Sequence, residues 1–407
     1  MNTDWPRVTI EEAADLVAMG PFGSSIKVST FVPEGVPIIS GQHLKGSRVD
    51  DSSGHNFITC EHADRLRKAN VRKGDVVLTH AGNIGQVAFI PDTAKYDRYV
   101  ISQRQFFIRC DRTRLSPEFL TYYLQSPEGH HLLMANAVQT GVPSIAQPVS
   151  YTRSIEVPLP PIEVQRGIAT TLGSLDEKIE SLGRLRIKLR SLGFAKFAES
   201  IDNSAPEVEL ASVTSSIARG VTPKYDDANP NSPLVLNQKC IRDGWVRTDR
   251  ARKMVSRDVA ASKKAAAGDI LVNSTGFGTL GRVGRWHASE IFVDSHVTVV
   301  RPDVAVCPPT LLAYSVLSRQ SSIEDMATGS TGQTELSPAR LGELTVRLPG
   351  IGRRSTLEGT LASIEDLIES TFIQERQLSV LRDLLLEALM SGRLSVSEER
   401  ELAGVSR

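Results

Sequence analysis

The sequence contains one pattern that is typical of nucleotide chemistry. Gly276-Phe277-Gly278-Thr279-Leu280-Gly281 has the glycine spacing of dinucleotide-binding loops and follows the strand-like segment DILVNS. In such loops the N-terminus of a following helix receives the pyrophosphate, but the next segment here, RVGRWHASEIFV, has an extended character. We therefore predict a turn between two strands at 276–281, and a nucleotide-binding enzyme stays as an alternative.

Other catalytic and metal-binding motifs are missing from the sequence. It has no GxxxxGK[ST] phosphate loop, no HExxH zinc motif and no GxSxG nucleophile turn. The cysteines Cys60, Cys110, Cys240 and Cys307 form no CxxC pair, which argues against a zinc site or disulfide framework and fits a reducing cytoplasm. We expect this chain to have no catalytic residues, no metal site and no bound cofactor.

Two basic stretches, with polar turns beside them, could contact nucleic acid. Residues 61–73 hold five basic and two acidic side chains, and residues 242–264 hold eight and three, each stretch lying before a strand that begins with Gly-Asp. Lysine and arginine bind phosphates, whereas glutamine, asparagine and arginine can pair with base edges. A solvated surface and ordinary turn chemistry are the alternatives. The candidate DNA-binding residues are Gln42, His43, Arg65, Arg67, Lys68, His80, Asn83, Gln86, Gln103, Arg104, Gln238, Lys239, Arg250, Arg252, Lys253, Asn273, Ser274 and Arg282.

The sequence repeats itself at an offset of about 190 residues. KGDVVL at 73–78 matches AGDILV at 267–272, and QTGVPSI at 139–145 matches STGQTEL at 330–336. The longest match joins 157–181 to 346–370, an offset of 189. Because the blocks keep one order, and because this period is far longer than that of solenoid repeats, we predict a duplicated domain with pseudo-two-fold character.

Each copy combines a mixed α+β region with a long helix. Short strand-like runs such as DVVLTH alternate with turns and with short helical runs such as PEFLTYYLQS and PTLLAYSVLSRQ. Pro158, Pro160 and Pro161 end the extended part and precede the first long helix. The predicted boundaries are 1–157 and 205–347 for the globular domains, 158–204 and 348–396 for the long helices, and 397–407 for a tail.

Apolar residues recur along both long helices at spacings of three, four and seven, which is the pattern of a coiled coil. Polar side chains such as Arg186, Thr371 and Arg382 interrupt this pattern. Two arrangements fit it: the helices pack on each other, which the presence of one helix per copy favours, or each lies on its own domain. The residues assigned to these spacer and partner-docking helices are Gln165, Leu172, Leu175, Ile179, Leu182, Leu361, Ile364, Ile368 and Leu378.

Composition limits the class of protein. The 407 residues include 47 Lys and Arg and 47 Asp and Glu, so the formal net charge is zero, and 40% are hydrophobic. A zero net charge argues against a general polycation, although a local basic face is compatible with DNA binding. No window approaches the ~18 apolar residues of a membrane span, and the N-terminus lacks a signal-peptide pattern, so we expect a cytoplasmic protein without a membrane partner.

Several motifs occur in a fixed order along the chain. They are Gly20-Pro21-Phe22-Gly23-Ser24-Ser25, GVPIISGQHLKG, KGDVVLTHAGNIGQVA, VPLPPIEVQRGIATTL, Gly220-Val221-Thr222-Pro223 and the C-terminal LLLEALMSGRLSV. In these motifs the sequence resembles the specificity subunits of type I restriction–modification systems, over about residues 1–396. The second copy departs from the family pattern, because Arg354 and Ser355 stand where the first copy has Gln165 and Arg166, which is compatible with asymmetric partner docking.

The resemblance implies two target recognition domains separated by two long antiparallel coiled-coil helices. Each domain would read one half of a bipartite double-stranded DNA site, and the two halves should differ because the two domains differ. The implied partners are two methyltransferase subunits, which use S-adenosylmethionine for DNA methylation, and two restriction subunits in a complex that uses ATP and Mg²⁺. The chain itself would be non-catalytic. A coiled-coil adaptor without a DNA role is a further alternative.

Overall fold

The computed structural model describes residues 5–139, 141–201, 205–326 and 335–394. The chain forms two compact units. The first unit contains Met1–Ser181 and Glu375–Arg407, and the second contains Leu182–Gln374. Each long helix therefore contributes residues to both units, because both unit boundaries fall inside a helix.

In its described residues the first unit contains twelve short strands, and six helices begin there. Its strands are β1 (Arg7–Thr9), β2 (Ala14–Met19), β3 (Val36–Ile39), β4 (Phe57–Ile58), β5 (Asn70–Arg72), β6 (Asp75–Thr79), β7 (Val87–Phe89), β8 (Arg98–Ile101), β9 (Gln105–Cys110), β10 (Ala137–Val138), β11 (Ser144–Ile145) and β12 (Glu156–Pro158). Its helices are α1 (Ile10–Ala13), α2 (Cys60–Arg65), α3 (Pro117–Gln125), α4 (Pro127–Met134), α5 (Pro148–Arg153) and the long α6 (Ile162–Ser200).

Two four-stranded sheets organise the first unit. One has the antiparallel order β2-β9-β6-β7, and the other has the order β4-β3-β8-β5 with β3 and β8 parallel. Strand β6 is buried on both faces, since Val76 and Leu78 lie in one apolar cluster and Val77 in another. This double burial explains why β6 reads as a continuous apolar run rather than an alternating one.

Among the described residues, the second unit also has twelve short strands, but four helices begin in it. Its strands are β13 (Glu207–Glu209), β14 (Thr214–Arg219), β15 (Leu234–Leu236), β16 (Ile241–Arg242), β17 (Trp245–Val246), β18 (Arg252–Lys253), β19 (Lys264–Ala265), β20 (Ile270–Asn273), β21 (Val283–Arg285), β22 (Ile291–Val293), β23 (Val297–Pro302) and β24 (Thr345–Arg347). Its helices are α7 (Pro309–Leu317), α8 (Gln320–Asp325), α9 (Pro338–Gly342) and the long α10 (Ile351–Met390).

The two units share one topology, which confirms the predicted duplication and the α+β class. The order β14-β23-β20-β21 matches β2-β9-β6-β7, and β18-β15-β22-β19 matches β4-β3-β8-β5, again with one parallel pair. Strands β17 and β16 extend the first of these sheets in the second unit. In both units the first strand pairs with the segment just before a long helix, as β1 with β12 and β13 with β24.

Both predicted helix arrangements occur together. In the first unit, Ile168 and Leu172 of α6 share an apolar cluster with the globular domain and with Leu386 and Leu389 of α10. The same cluster therefore holds α6 both to its own domain and to the other helix. Of the apolar residues predicted to line the contact between the long helices, five are buried and three are half-buried. The buried ones are Leu172, Leu182, Leu361, Ile364 and Ile368, and the half-buried ones are Leu175, Ile179 and Leu378.

Polar residues that interrupt the apolar pattern of α6 and α10 form contacts that define the relative direction of these helices. In the second unit, the Arg186 guanidinium lies 3.8 Å from the centre of the Phe372 ring, and Arg190 lies 3.4 Å from Glu365. Because the later residue of α6 meets the earlier residue of α10, the helices run antiparallel there. Within the described part of the chain, no helix has the length and apolar composition that a membrane span requires.

A buried carboxylate joins the globular domain to both helices in the first unit. Asp176 of α6 accepts hydrogen bonds from the hydroxyls of Tyr122 at 2.8 Å and Ser47 at 2.6 Å. Arg382 of α10 donates to its other oxygen at 3.3 Å. We call these four residues the Asp176 cluster. Because a charge inside a protein must be paired to be tolerated, the cluster holds three elements in one arrangement.

The second unit has an equivalent buried carboxylate on the other helix. Glu365 of α10 accepts a hydrogen bond from the Tyr314 hydroxyl at 2.7 Å and lies 3.4 Å from Arg190 of α6 and 3.2 Å from His287. We call these four residues the Glu365 cluster. Tyr122 and Tyr314 occupy equivalent places on α3 and α7, so the duplication has preserved a tyrosine–carboxylate–arginine connection in each unit.

Two glycines in the long helices should respond to alanine with opposite signs. A Cβ atom at Gly193 would lie 2.1 Å from the Tyr314 hydroxyl oxygen, whereas a Cβ at Gly359 would meet nothing within 4 Å. We expect Gly193→Ala to lower the free energy of unfolding by about 1–3 kcal/mol, because it displaces the Tyr314 ring. Gly359→Ala should raise it by about 0.5–1 kcal/mol through helix propensity. Urea unfolding of both variants checks this, and equal shifts would contradict it.

Candidate nucleic-acid interface

Three turns of the first unit meet at one edge of a sheet. In the register of β2, β9 and β6, Met19 pairs with Phe106, and Gln105 pairs with Thr79. The turn after β2, the turn after β6 and residues 102–104 before β9 therefore lie at the same edge. Sequence separation hides this, because these turns are far apart along the chain.

A cleft of about 810 Å³ opens at this edge. It joins the turn after β2, the basic residues at the end of α2 and the turn before β9. Three candidate phosphate-binding residues and three candidate polar residues thus share one surface, which we call the basic cleft. Its lining residues are Met19, Gly20, Pro21, Phe22, Gly23, Ser25, Arg65, Leu66, Arg67, Lys68, Ala69, His80, Gln103 and Arg104.

The basic cleft has cations and no carboxylate among its lining residues. Arg65 is paired with Glu61 at 3.0 Å on the helix surface. The side chains of Arg67, Lys68 and Arg104 are exposed, and within the described residues none has a carboxylate partner within 4.0 Å. Unpaired exposed cations beside a concave surface are available to bind phosphates.

The remaining polar candidates of the first unit differ in availability. Asn83 and Gln103 are exposed, and the His80 ring lies 3.1 Å from the Gln103 carbonyl oxygen. The Gln86 side chain instead donates to the Gly41 carbonyl at 2.9 Å, and the Gln42 side chain donates to that of Gly54. Gln42 is exposed, whereas the side-chain amide of Gln86 connects two turns.

His43 lies inside the domain rather than on the basic cleft. Its Nδ1 accepts a hydrogen bond from the Ser40 backbone N–H, and its ring stacks on His55 with 4.2 Å between ring centres. Burial lowers the pKa of His43, which favours the neutral ring. We therefore leave His43 out of the interface, since its polar atoms are used by the fold.

In the second unit, the candidates nearest the loop after β20 divide in the same way. Asn273 and Ser274 are buried, and Asn273 donates to the Gln238 and Thr279 carbonyls while Ser274 bonds Thr298. Among these candidates, Lys239 is exposed. Asn273 and Ser274 thus position this loop, and we leave them out of the surface. Gln238 and Arg282 are half-buried and also hold the loop through Thr275 and Gly278.

The second basic stretch is placed differently from the first. Arg252 and Lys253 form β18, which occupies the sheet position of β4 and not that of α2. Arg252 is paired with Asp227, and its guanidinium lies 3.4 Å from the Tyr225 ring centre. Arg250 lies 3.5 Å from Asp249. The two stretches are therefore only partly equivalent, since these cations of the second stretch are already paired.

The glycine-rich loop at 276–281 is a turn between strands, as predicted. It connects β20 to β21, which are antiparallel neighbours. Gly276, Gly278 and Gly281 have φ values of 101°, 70° and 80°, in the region that favours glycine. The next element is a strand, so this loop presents no helix N-terminus to a pyrophosphate.

Gln165 anchors the first long helix to its own domain. Its buried side chain donates to the Arg114 and Pro160 carbonyls, both at 2.8 Å, and accepts from the Ser116 backbone N–H. In the second unit, the side chain at the equivalent position, Arg354, donates to carbonyl groups at the same two places. The departure from the family pattern therefore preserves this anchor, and the buried Gln165 side chain is used by the fold.

Sequence reasoning missed three residues that matter here. Phe22 lines the basic cleft, and a signal was present, since it lies between glycines directly after a strand. Asp176 and Glu365 were missed as buried carboxylates. Asp176 and Glu365 are 189 residues apart, which is also the offset between the two long helices. An acidic residue at the same position of both helices was therefore the available signal.

Comparison with known proteins gives the following similarities. Residues 4–190 match the family described as type I restriction modification DNA specificity domain. A predicted type I restriction enzyme MjaX specificity subunit of Methanocaldococcus jannaschii is 20% identical over 398 residues, which cover 89% of this chain and 88% of that protein. The crystal structure of a type I restriction-modification system S subunit from M. genitalium has 19% identity and a TM-score of 0.60, covering 95% of this chain and 96% of that one.

Proposed function

We propose that the chain is the sequence-specific DNA-binding subunit of a type I restriction–modification complex, because residues 4–190 match the type I restriction modification DNA specificity domain. The observation that carries this proposal is the basic cleft, where the exposed Arg67 and Lys68, which have no carboxylate partner among the described residues, adjoin Gln103 and Arg104. Phosphate contacts position a protein on DNA, and contacts to base edges specify the sequence. A coiled-coil adaptor without a DNA role offers no reason for an acid-free cleft at a sheet edge.

The DNA site is asymmetric and bipartite in this proposal. The first unit offers Gln103, Arg104 and Asn83, whereas the second offers Lys239 and a longer loop at the place of Asn83. Since the two units share a topology but not these side chains, each reads a different half-site. Arginine prefers guanine, and glutamine and asparagine prefer adenine, so the half-sites differ in base composition.

The partners in this proposal are two methyltransferase subunits and, in a restriction complex, two restriction subunits. Val380, Leu381 and Leu384 of α10 are exposed apolar residues on one helix of the first unit, and Leu185, Ile187 and Leu192 of α6 are exposed in the second. Exposed apolar residues of this kind on a helix suit burial by a partner. S-adenosylmethionine, ATP and Mg²⁺ belong to those partners, and this cytoplasmic chain contributes no catalytic residue.

Sequencing of methylated bases in the source cells tests the function. Deletion of the chain should remove one bipartite methylated motif from the genome. Gln103→Ala with Arg104→Ala should alter only one half of that motif, because both side chains belong to one unit. The control is Lys73→Ala with Arg112→Ala, which changes side chains at the opposite end of β6. An unchanged methylation pattern in the deletion strain would contradict the proposed function.

A further inference from the structure

Two phenylalanines are exposed to an unusual degree. Of the twelve phenylalanines in the chain, Phe22 and Phe277 are the exposed ones, at 89% and 102% of the accessible surface of a free side chain. One belongs to each unit, and each lies in a glycine-flanked turn at the end of a strand. An aromatic ring left in water forgoes the free energy of burial, which a partner that covered it would recover.

The turn that carries Phe22 is held rigidly. The Gly20 backbone N–H donates to the Gln105 carbonyl at 2.9 Å, and the Ser25 N–H donates to the Phe22 carbonyl at 2.8 Å. A Cβ atom on Gly20 would lie 2.1 Å from the Ser102 carbonyl oxygen, so only glycine allows this close approach. The fold therefore fixes the turn while leaving its aromatic ring in solvent.

The loop that carries Phe277 is held in a comparable way. The Leu280 N–H donates to the Gly276 carbonyl at 3.0 Å, and the Arg282 side chain donates to the Gly278 carbonyl at 2.8 Å. The Asn273 side chain donates to the Thr279 carbonyl. A loop with this many internal hydrogen bonds loses little conformational freedom when its ring binds, which favours affinity.

The surroundings of the rings point to the chemistry of their partner. Phe22 lies in the basic cleft with Lys68 and Arg104, and the Phe277 loop adjoins Gln238, which the exposed Lys239 follows in the chain. The cations near the two rings suit an anionic ligand. The rings themselves suit a ligand that also offers flat or methyl-bearing apolar groups. Double-stranded DNA has this composition, with phosphates outside and stacked bases and thymine methyl groups within its grooves.

We propose that Phe22 and Phe277 make apolar contacts with bases, one in each half-site, and so contribute to specificity without hydrogen bonds. This inference rests on the proposed function. Two geometries would give such an apolar contact. The ring either enters a base step or covers a thymine methyl group. Phe22 follows β2 and Phe277 follows β20, so the two units use different turns to present their ring.

The test uses the complex that the chain forms in its source cells, with duplexes that carry the methylated motif. We expect Phe22→Ala and Phe277→Ala each to weaken binding about tenfold. The dependence of affinity on salt should stay unchanged, because no phosphate contact is lost. The controls are Val28→Ala and Val304→Ala, which remove strongly exposed apolar side chains that belong to neither turn and do not line the basic cleft.

Two further duplexes separate the two kinds of contact. Deoxyuridine in place of thymine should weaken wild-type binding and leave the alanine variant unaffected if the ring covers a methyl group. If the ring enters a base step, the fluorescence of a 2-aminopurine in the half-site should increase when the wild-type complex binds, and it should not increase with the alanine variant. Unchanged affinity and an unchanged methylated motif in both variants would overturn the inference. If the wild-type complex itself fails to prefer the motif over unrelated DNA, the proposed function fails instead.

Discussion

Replacing Arg67, Lys68 and Arg104 together by glutamine is expected to remove most of the affinity of the complex for DNA. Each phosphate contact releases counterions, so three lost contacts should reduce the slope of log affinity against log salt by about 2.7. At 0.15 M salt the loss should be on the order of a hundredfold. Fluorescence anisotropy of a labelled duplex over a range of salt concentrations measures both quantities.

The matched control changes the same charge at the other end of the sheet. Arg72, Lys73 and Arg112 lie near the start of β6, away from the basic cleft, and Lys73 and Arg112 are paired with surface carboxylates. Their replacement by glutamine should leave the salt slope nearly unchanged. Both triple variants should keep the free energy of unfolding within about 0.5 kcal/mol, because these side chains are at the surface. Equal slopes for the two variants would exclude the basic cleft as the phosphate-binding surface.

The second large effect is expected from Glu365→Ala. Only 1% of Glu365 is exposed, and its removal leaves Arg190 and His287 without their carboxylate. Breaking a buried ion pair from one side costs about 3–5 kcal/mol, since the remaining charge stays buried and unpaired. Urea unfolding followed by the fluorescence of Trp245 and Trp286, both in the second unit, measures this loss.

Two related variants and a pH series make this measurement specific. Burial acts to raise the pKa of Glu365, but the hydrogen bond from His287 and the charge of Arg190 outweigh it, so the pKa lies below its usual value. Its stabilisation is therefore present above about pH 4.3 and is lost as the pH falls further. Glu365→Gln should lose this acid dependence. Asp366→Ala, on the exposed side of α10, should change stability little. A cost below 1 kcal/mol for Glu365→Ala would refute a stabilising role.

Local patterns were sufficient to predict much of the fold. The apolar run DVVLTH became β6, and PEFLTYYLQS became α3, because their character depends on neighbouring residues. The heptad positions Leu172 and Leu361 were likewise buried, since helical periodicity places them on one face. The internal repeat added what local patterns lack, because it showed that the same domain occurs twice.

The interface could be predicted only in part. Asn83 and Asn273 follow equivalent apolar runs, yet Asn83 lies exposed in the turn after β6, whereas Asn273 is the buried last residue of β20. The Asn273 side chain donates to the carbonyl of Gln238, which is 35 residues away along the chain. Similarly, Lys68 and Arg104 meet in one cleft because of strand pairing between β5 and β8. Such long-range contacts leave no mark on a local sequence pattern.

The division of the long helices between the units has a consequence for synthesis on the ribosome. The first unit needs Glu375–Arg407, because Leu386 and Leu389 complete the cluster around Ile168 and Leu172. At about 5–20 residues per second, the ribosome needs roughly 10–40 s to pass from Ser181 to Glu375. During that interval the first unit carries an uncovered apolar surface, and any chain that terminates early keeps it. Completion of the first unit thus reports that translation has passed Leu389.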